Sequence, residues 1–469
     1  MKTNSFKWMK LDNAGKIFPG QNMKRWSNIF RLSVHLKEKI DPEILKSALE
    51  NTLKRIPSFK TKMRKGFFWN YLEENEMECP ISPDISNHCY RVKFKENNGY
   101  LFRVYYHEKC ISVDIYHSLC DGYGAAVFVS TLTGEYLRLK GCEVSCNQFV
   151  LDISENVKKE ELEDSYLKYA DSKDKYVTPE KRVYHKRGTK MPLHFANYTA
   201  CTMPLEKIRM SSRKYGVTIT EFLAAVLLDI HYKKQLAEGK TDKHVSVQVP
   251  VNLRKGFPSR TLKNFVLCLV AQINPKEKVY TFEEILKNIS HQLKSQNNSK
   301  FLNSLMTRNV NLERRVVKYI PLAIKNFFVG IGFRINAEYS TSVLFSNLGI
   351  INLPEDMRKY INKFVLFTGP GIVNGARCGA VTYGDNMVIT FSNCYKEHDI
   401  ERDFLLRLSE LGIPVKVATN RGDVFSDIAD VEKDEFEYPD RVHIPSGKGV
   451  KLTGRKIPWN QKFERVFHT

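Results

Sequence analysis

The sequence predicts an α/β chain of two halves, the first an α+β mixture in which strands and helices do not alternate regularly. Three observations lead there. At 469 residues the chain exceeds what one hydrophobic core ordinarily organises, and 42% hydrophobic residues suffice to bury two. Short runs with apolar residues at every second position stand beside longer helical stretches along the whole chain. A highly charged segment between about Glu155 and Arg187, containing DSKDKYVTPEKR, reads as an exposed crossover between halves of 1–175 and 176–424.

The elements follow in order. RLSVHLKEKI at 31–40 is strand-like and leads into a helix opened by Asp41 and Pro42, a capping carboxylate and a first-turn proline, which runs to about Arg55 and stops before Pro57. Short strands come next, FFWNYL and YRVKFK among them. CISVDIYH at 110–117 then alternates, with Ile111, Val113, Ile115 and His117 on one face and Ser112, Asp114 and Tyr116 on the other, so His117 ends a strand on its inward side. From Ala125 to Leu139 a helix carries Val127, Phe128, Leu132, Tyr136 and Leu139 roughly on one stripe, with Gly141 as its stop. The second half opens with strand-like FANYTACTMP, a helix entered at Thr218 or Thr220 through FLAAVLLDI, and the strand VSVQVPV. Strands and helices continue to Gly412-Ile413-Pro414. Residues 425–469 turn acidic, then basic and proline-containing, as a surface extension or a partly disordered tail would.

The six residues His117-Ser118-Leu119-Cys120-Asp121-Gly122 lie where the strand turns into the helix. An imidazole is the side chain whose unperturbed pKa lies near neutral, so a partly buried histidine facing a cavity can accept a proton from an attacking hydroxyl or amine. Asp121, four residues on and across a turn that Gly122 permits, suits a brace that locks the loop better than a second base. The competing account is a satisfied histidine at a strand end, since bare H-x-x-x-D-G matches arise by chance in unrelated chains.

Four stretches carry a resemblance beyond that hexapeptide: LFRVYYHEKCISVDIYHSLCDGYG at 101–124, VQVPVNLRKGFPSRTLKNFV at 247–266, VLFSNLGIINLP at 343–354 and CGAVTYGDNMVITFSN at 378–393. In order and spacing they cover most of the chain up to about Pro414, and together the chain resembles the chloramphenicol-acetyltransferase-like superfamily, which includes condensation domains and alcohol acetyltransferases. The resemblance implies two sandwich halves forming a V with a central channel, and an acyltransferase that moves an acyl group from a thioester to an alcohol or amine acceptor. It makes His117 the general base and Asp121 its partner in an aspartate–arginine pair. Tyr116 stands where many relatives have a first histidine, but in the family it is the second that acts as base. The donor implied is acyl-CoA, or the phosphopantetheine arm of an acidic acyl carrier protein in a condensation-type alternative. The lack of an attached carrier or adenylation segment favours a freestanding enzyme.

Further candidates follow. Arg254, in VPVNLR, is the cation expected to meet Asp121, in a two-pronged fork that clasps the halves and fixes the loop; an exposed arginine after a strand is the competing account. Ser346 and Asn347 in FSNLG are short hydrogen-bonding groups beside a glycine, and related enzymes place this segment along the cleft, where it would hold substrate or the oxyanion; a plain strand-end turn competes. Cys120, three residues from the histidine, raises a thiol nucleophile, which ranks below the base role of His117.

The balance of 73 Lys and Arg against 52 Asp and Glu gives a net charge of +21, a field that gathers anionic ligands. Membranes, phosphorylated cofactors and acidic proteins fit it, and a merely solvated basic surface is the competing account. Nucleic acid is not expected, because no helix-turn-helix, zinc-finger or RNP-like pattern is present and acidic residues are interspersed among the basic ones. Ten cysteines are scattered in apolar runs without a CxxC pair, so neither a metal site nor a disulfide framework is expected. With MKTNSFKWMKLDNAGK lacking the apolar core of a secretory signal, the expected home is cytoplasmic. The window 316–333 is interrupted by Lys318, Pro321, Lys325 and Asn326 and is too broken to span a bilayer. Phe327 and Phe328 with Arg314 and Arg315 allow an in-plane membrane helix, but the sequence favours a helix packed on the sheet or lining a greasy tunnel. A binding protein of the same fold without turnover is the rival from another class.

Overall fold

The computed structural model of the chain describes residues 7–22, 28–84, 88–91, 93–173, 182–192, 195–315, 317–333, 341–371, 376–420 and 431–433. Alternating apolar runs form two large mixed sheets and two hydrophobic cores, the first shared by the five-stranded sheet and residues such as Tyr198, Val381 and Val388 of the eight-stranded one, the second built on the eight-stranded sheet. The five-stranded sheet runs in the order Ile361–Thr368, Ile29–Leu36, Cys110–Tyr116, Phe102–His107, Ile81–Pro83. Helices Pro42–Arg55 and Gly122–Leu139 pack on each other beside it. The eight-stranded sheet runs Val266–Ile273, Val245–Asn252, Val343–Ile350, Ala376–Tyr383, Asn386–Asn393, Asn197–Pro204, Val415–Thr419, Val431–Lys433, and helix Ile219–Ala237 packs on it. A small sheet of Trp8–Lys10, Asn70–Glu74 and Thr61–Lys65 stands apart. One strand crosses between the halves: Ile361–Thr368, from late in the chain, pairs antiparallel with Ile29–Leu36.

The caps read from sequence are in place. Asp41 accepts the Glu43 and Ile44 amides at 2.9 and 3.2 Å, opening the helix that ends at Arg55. Of the two threonines, Thr218 opens its helix, through a reciprocal box with Glu221. The helix after the motif begins at Gly122, three residues before the expected Ala125, because Asp121 itself is the N-cap.

Other expectations are corrected. The motif strand is buried on both faces. Asp114, on the face expected to be polar, is neutralised inside the protein by Arg31 Nε at 2.6 Å and Arg103 Nη2 at 2.8 Å, and Arg31 also meets Asp84 at 2.7 Å. The described residues of YRVKFK form no strand: Phe94–Asn97 is a 3₁₀ turn, held by the Asn97 amide donating to the Tyr100 and Phe102 carbonyls. In FFWNYL the strand begins only at Asn70, and Phe67 to Trp69 form the tip of a hairpin.

The charged crossover is not a loose exposed link over its first part. Glu161 is buried in a two-pronged pair with Arg55 at 2.7 and 2.8 Å, its backbone carbonyl accepts the Leu262 amide, and the Tyr166 hydroxyl donates to the Val266 carbonyl at 2.6 Å. Residues 174–181 lie outside the described residues, as does the tail at 425–469 apart from Val431–Lys433. Helix Leu322–Phe333 packs on the 3₁₀ turn Phe18–Gln21 and on the hairpin tip rather than apolar side down on a sheet. Among the described residues no helix is long and apolar enough to cross a membrane.

Candidate active site

The motif turn is built from both ends. Strand Cys110–Tyr116 delivers His117, whose amide donates to the Asn28 carbonyl at 2.7 Å, and Asp121 opens the helix by accepting the Gly124 amide at 3.0 Å. Gly124 permits a close crossing. A Cβ there would lie 2.1 Å from the Leu262 carbonyl oxygen, so only a glycine lets the 261–265 loop of the other half rest on the first helical turn.

That loop holds both motif side chains through adjacent residues. The Phe265 amide donates to Asp121 Oδ2 at 2.8 Å, while the Asn264 side chain meets His117 Nδ1 at 3.0 Å. The Asn264 amide nitrogen faces two acceptors, Asp12 Oδ2 and the His117 carbonyl, each at 3.0 Å. Its Oδ1 must therefore be the atom turned to the ring. An amide oxygen only accepts, so His117 Nδ1 carries the proton and Nε2 is left as the basic lone pair. No described residue hydrogen-bonds to Nε2.

The ring is clamped from its faces too. Phe18 stacks on it with centroids 4.6 Å apart, and Phe30 tilts against it at 5.1 Å. His117 stays half-buried rather than enclosed. Burial pushes its pKa below the ordinary imidazole value, against the opposing pull of the Asp121 charge, so the neutral base is the form favoured near neutral pH.

Asp121 makes no hydrogen bond to the ring. Its carboxylate gathers the Gly124 and Phe265 amides and Arg254 Nη1, the last at 2.8 Å with both side chains nearly buried. Arg254 and Asp121 are thus brought together, but through one prong instead of the expected fork. The other guanidinium nitrogens are taken by the Thr261 carbonyl at 2.9 and 3.2 Å and the Lys263 carbonyl at 2.7 Å. Three of its donors thus serve the loop, one the carboxylate and one Asn252 Oδ1 at 3.1 Å.

Gly122 lies under Leu348, which a Cβ would meet at 3.0 Å, and this places strand Val343–Ile350 beside the motif. Asn347 spends its amide on Thr220 Oγ1 and its oxygen on the Gly349 amide, both at 3.0 Å, and Ser346 sits in register with Gly379. Neither hydrogen-bonds to His117. Cys120 is fully buried and its thiol is pushed far up by burial, so no thiolate is available there.

Beneath Asn264 lies Asp12, buried, taking the Gly15 amide at 2.7 Å and the Asn264 amide at 3.2 Å. Burial raises its pKa, opposed by these hydrogen bonds and by nearby Lys263. Sequence reasoning missed Asn264, Asp12 and Phe18. The signals available were slight: Asn264 falls within the 247–266 stretch, and Asp12 followed by Gly15 has the pattern of a side chain capping its own turn.

Comparison with known proteins finds no matching family model and no matching curated sequence. Solved structures do match. TRI3 trichothecene 15-O-acetyltransferase from Fusarium sporotrichioides aligns with a TM-score of 0.55 at 12% identity, over 88% of this chain and 98% of that one. TRI101 from F. graminearum, complexed with coenzyme A and T-2 mycotoxin, aligns at 0.57 and 12% identity, over 88% and 100%. The epimerization domain from the third module of tyrocidine synthetase B aligns at 0.53 and 13% identity, over 86% and 95%. The chain shares the fold of these acetyltransferases and of the epimerization domain. Within that fold, the loop bearing Arg254 and Asn264 comes from one half and the motif from the other.

Asn264 gives a direct test of the clamp. Asn264→Ala should lower turnover of any His117-dependent reaction by about tenfold, the worth of one hydrogen bond that fixes a tautomer. Steady-state kinetics beside thermal unfolding would check it; a drop in stability with unchanged turnover would assign Asn264 to the fold alone.

Proposed function

We propose that the protein is an acyltransferase that moves an acyl group from a thioester, acyl-CoA, to the hydroxyl or amine of a small molecule. One observation carries the reading: a half-buried, neutral imidazole whose Nδ1–H is tied to Asn264 and whose Nε2 has no described partner. Nε2 of His117 takes the proton from the acceptor as its oxygen or nitrogen attacks the thioester carbonyl. The tetrahedral adduct then collapses, the C–S bond breaks, and the proton passes to the departing thiolate. A thioester is already activated, so no covalent enzyme intermediate is required. Asp121 and Arg254 act as positioning residues, and Ser346 or Asn347 would contribute to the substrate wall.

The likeness to a protein crystallised with coenzyme A and a mycotoxin supports this donor and a small-molecule acceptor, as does the +21 charge, which favours a phosphorylated donor. The test is thiol release from acyl-CoA species of graded length with a panel of alcohols and amines. Acceptor-dependent release is the expected result. Release only from an acylated carrier protein would move the reading to a condensation-type enzyme, and binding without any release to a ligand-binding protein.

The pH dependence follows from the buried ring. Because burial disfavours the imidazolium, kcat/KM should hold on the acid side down to an apparent pKa below the ordinary 6.5 of histidine, then fall as Nε2 is protonated. A pH–rate profile breaking above 6.5 would contradict it. The stability sign agrees: the folded pKa is depressed, so below about 6.5 the unfolded chain takes up the proton more readily and this group costs stability as pH falls.

A further inference from the structure

Over residues 323–328, helix Leu322–Phe333 is turned inside out. Its lysine, Lys325, is 2% exposed, with Nζ 2.7 Å from the Phe68 carbonyl oxygen and 3.2 Å from the centre of the Trp69 ring. Phe327 and Phe328 on the same helix are 65% and 61% exposed, and Ile324, one turn earlier, shares their outward face. An isolated amphipathic helix docked on a protein core would show the reverse.

The hairpin tip extends the same surface. The Phe67 carbonyl accepts the Leu322 amide, and the Phe67 ring is 74% exposed, with Phe68 edge-on to it at 4.7 Å. Tyr319, just before the helix, is 69% exposed. Rings this exposed on two separate elements make one projecting apolar surface. Within five residues of Phe67 or Tyr319 in the chain stand exposed Lys65, Arg314, Arg315 and Lys318, which form no ion pair with a described residue. The neighbouring carboxylate that would offset them, Glu313, is turned inward to Lys16 and Asn13, each at 2.6 Å.

We infer that this face seats the protein on an anionic membrane surface, with Phe67, Phe327 and Phe328 entering the boundary between headgroups and acyl chains and Lys65, Arg314, Arg315 and Lys318 meeting lipid phosphates. The charge complementarity and the projecting rings together select a lipid surface over a protein groove, which would need recessed apolar walls. The chain lies on the membrane and does not cross it through this helix. The helix also packs on the turn whose Phe18 stacks on His117, so the docking face adjoins the candidate site. The inference does not depend on the acyl-transfer reading.

Cosedimentation of the full chain with vesicles of phosphatidylcholine, alone or mixed with phosphatidylserine, tests it. Binding is expected to the mixed vesicles, to weaken as salt rises, and to fall about tenfold or more in F327S/F328S. R314E/R315E should weaken it as well, with the thermal unfolding of both variants unchanged. Binding that survives F327S/F328S, or that is equal on the two vesicle types, would overturn the inference. So would a concentration-dependent dimer dissolved by F327S/F328S without vesicle binding, or vesicle binding that appears only after residues 434–469 are removed.

Discussion

His117→Ala is expected to lower thioester-dependent acyl transfer by roughly two to four orders of magnitude, the usual worth of a general base, while the protein stays folded. The split is set by where the ring sits. It is half-buried at the end of a strand, and its loss removes the stack on Phe18 and one hydrogen bond to Asn264 but orphans no charge. Asn264 would keep its bonds to Asp12 and to the residue 117 carbonyl. Thermal unfolding should therefore shift by only a few degrees, whereas kcat collapses. His117→Gln serves as the companion variant, since it fills most of the space without supplying a base of suitable pKa. Full turnover in either would remove His117 from the chemistry and leave the fold as a binding scaffold.

What is legible in the sequence follows the range of the interactions involved. Caps such as Asp41 and Thr218 satisfy amides two or three residues away, so a short window reveals them. The strand-to-helix turn at 117–122 is likewise local, and the alternation that ends at His117 together with the Asp121-Gly122 pair suffices to place it. Asp121 and Arg254 are paired in the sequence only through the resemblance. The number of prongs is hidden even then, because Arg254 divides its donors among carbonyls of the 261–263 loop.

Asn264 and Asp12 stand 147 and 252 residues from their partners in chain order, and nothing in their neighbourhoods announces the contact. The burial of Asp114 escapes a short window for a similar reason: of the two cations that neutralise it, Arg31 is 83 residues away. Helix Leu322–Phe333 inverts the expectation because Lys325 turns onto one carbonyl and one indole ring of a distant hairpin, partners that no short window of sequence shows.

Asp121→Ala should produce the largest loss of stability of any substitution at the motif. Its carboxylate caps the helix at Gly124, receives the Phe265 amide and faces Arg254 in a nearly dry setting. Truncation leaves a guanidinium without its counter-charge and two amides without an acceptor. Breaking one partner of a buried pair costs about 3–5 kcal/mol, which for a half of this size lowers Tm on the order of 10 °C. Activity should fall in step, because Phe265 and Asn264 are consecutive: once the carboxylate releases the Phe265 amide, the side chain that fixes the His117 tautomer shifts with it. Arg254→Met separates the contributions. It removes the cation and its bonds to the Thr261 and Lys263 carbonyls but leaves both amides on Asp121, and D121A/R254M should cost less than the sum of the two single changes, since neither charge is then left unpaired. Differential scanning calorimetry of the three variants beside kcat reads both quantities. A D121A protein with unchanged Tm and no activity would mean that the carboxylate takes part in proton transfer itself, and the brace described here would be the wrong role.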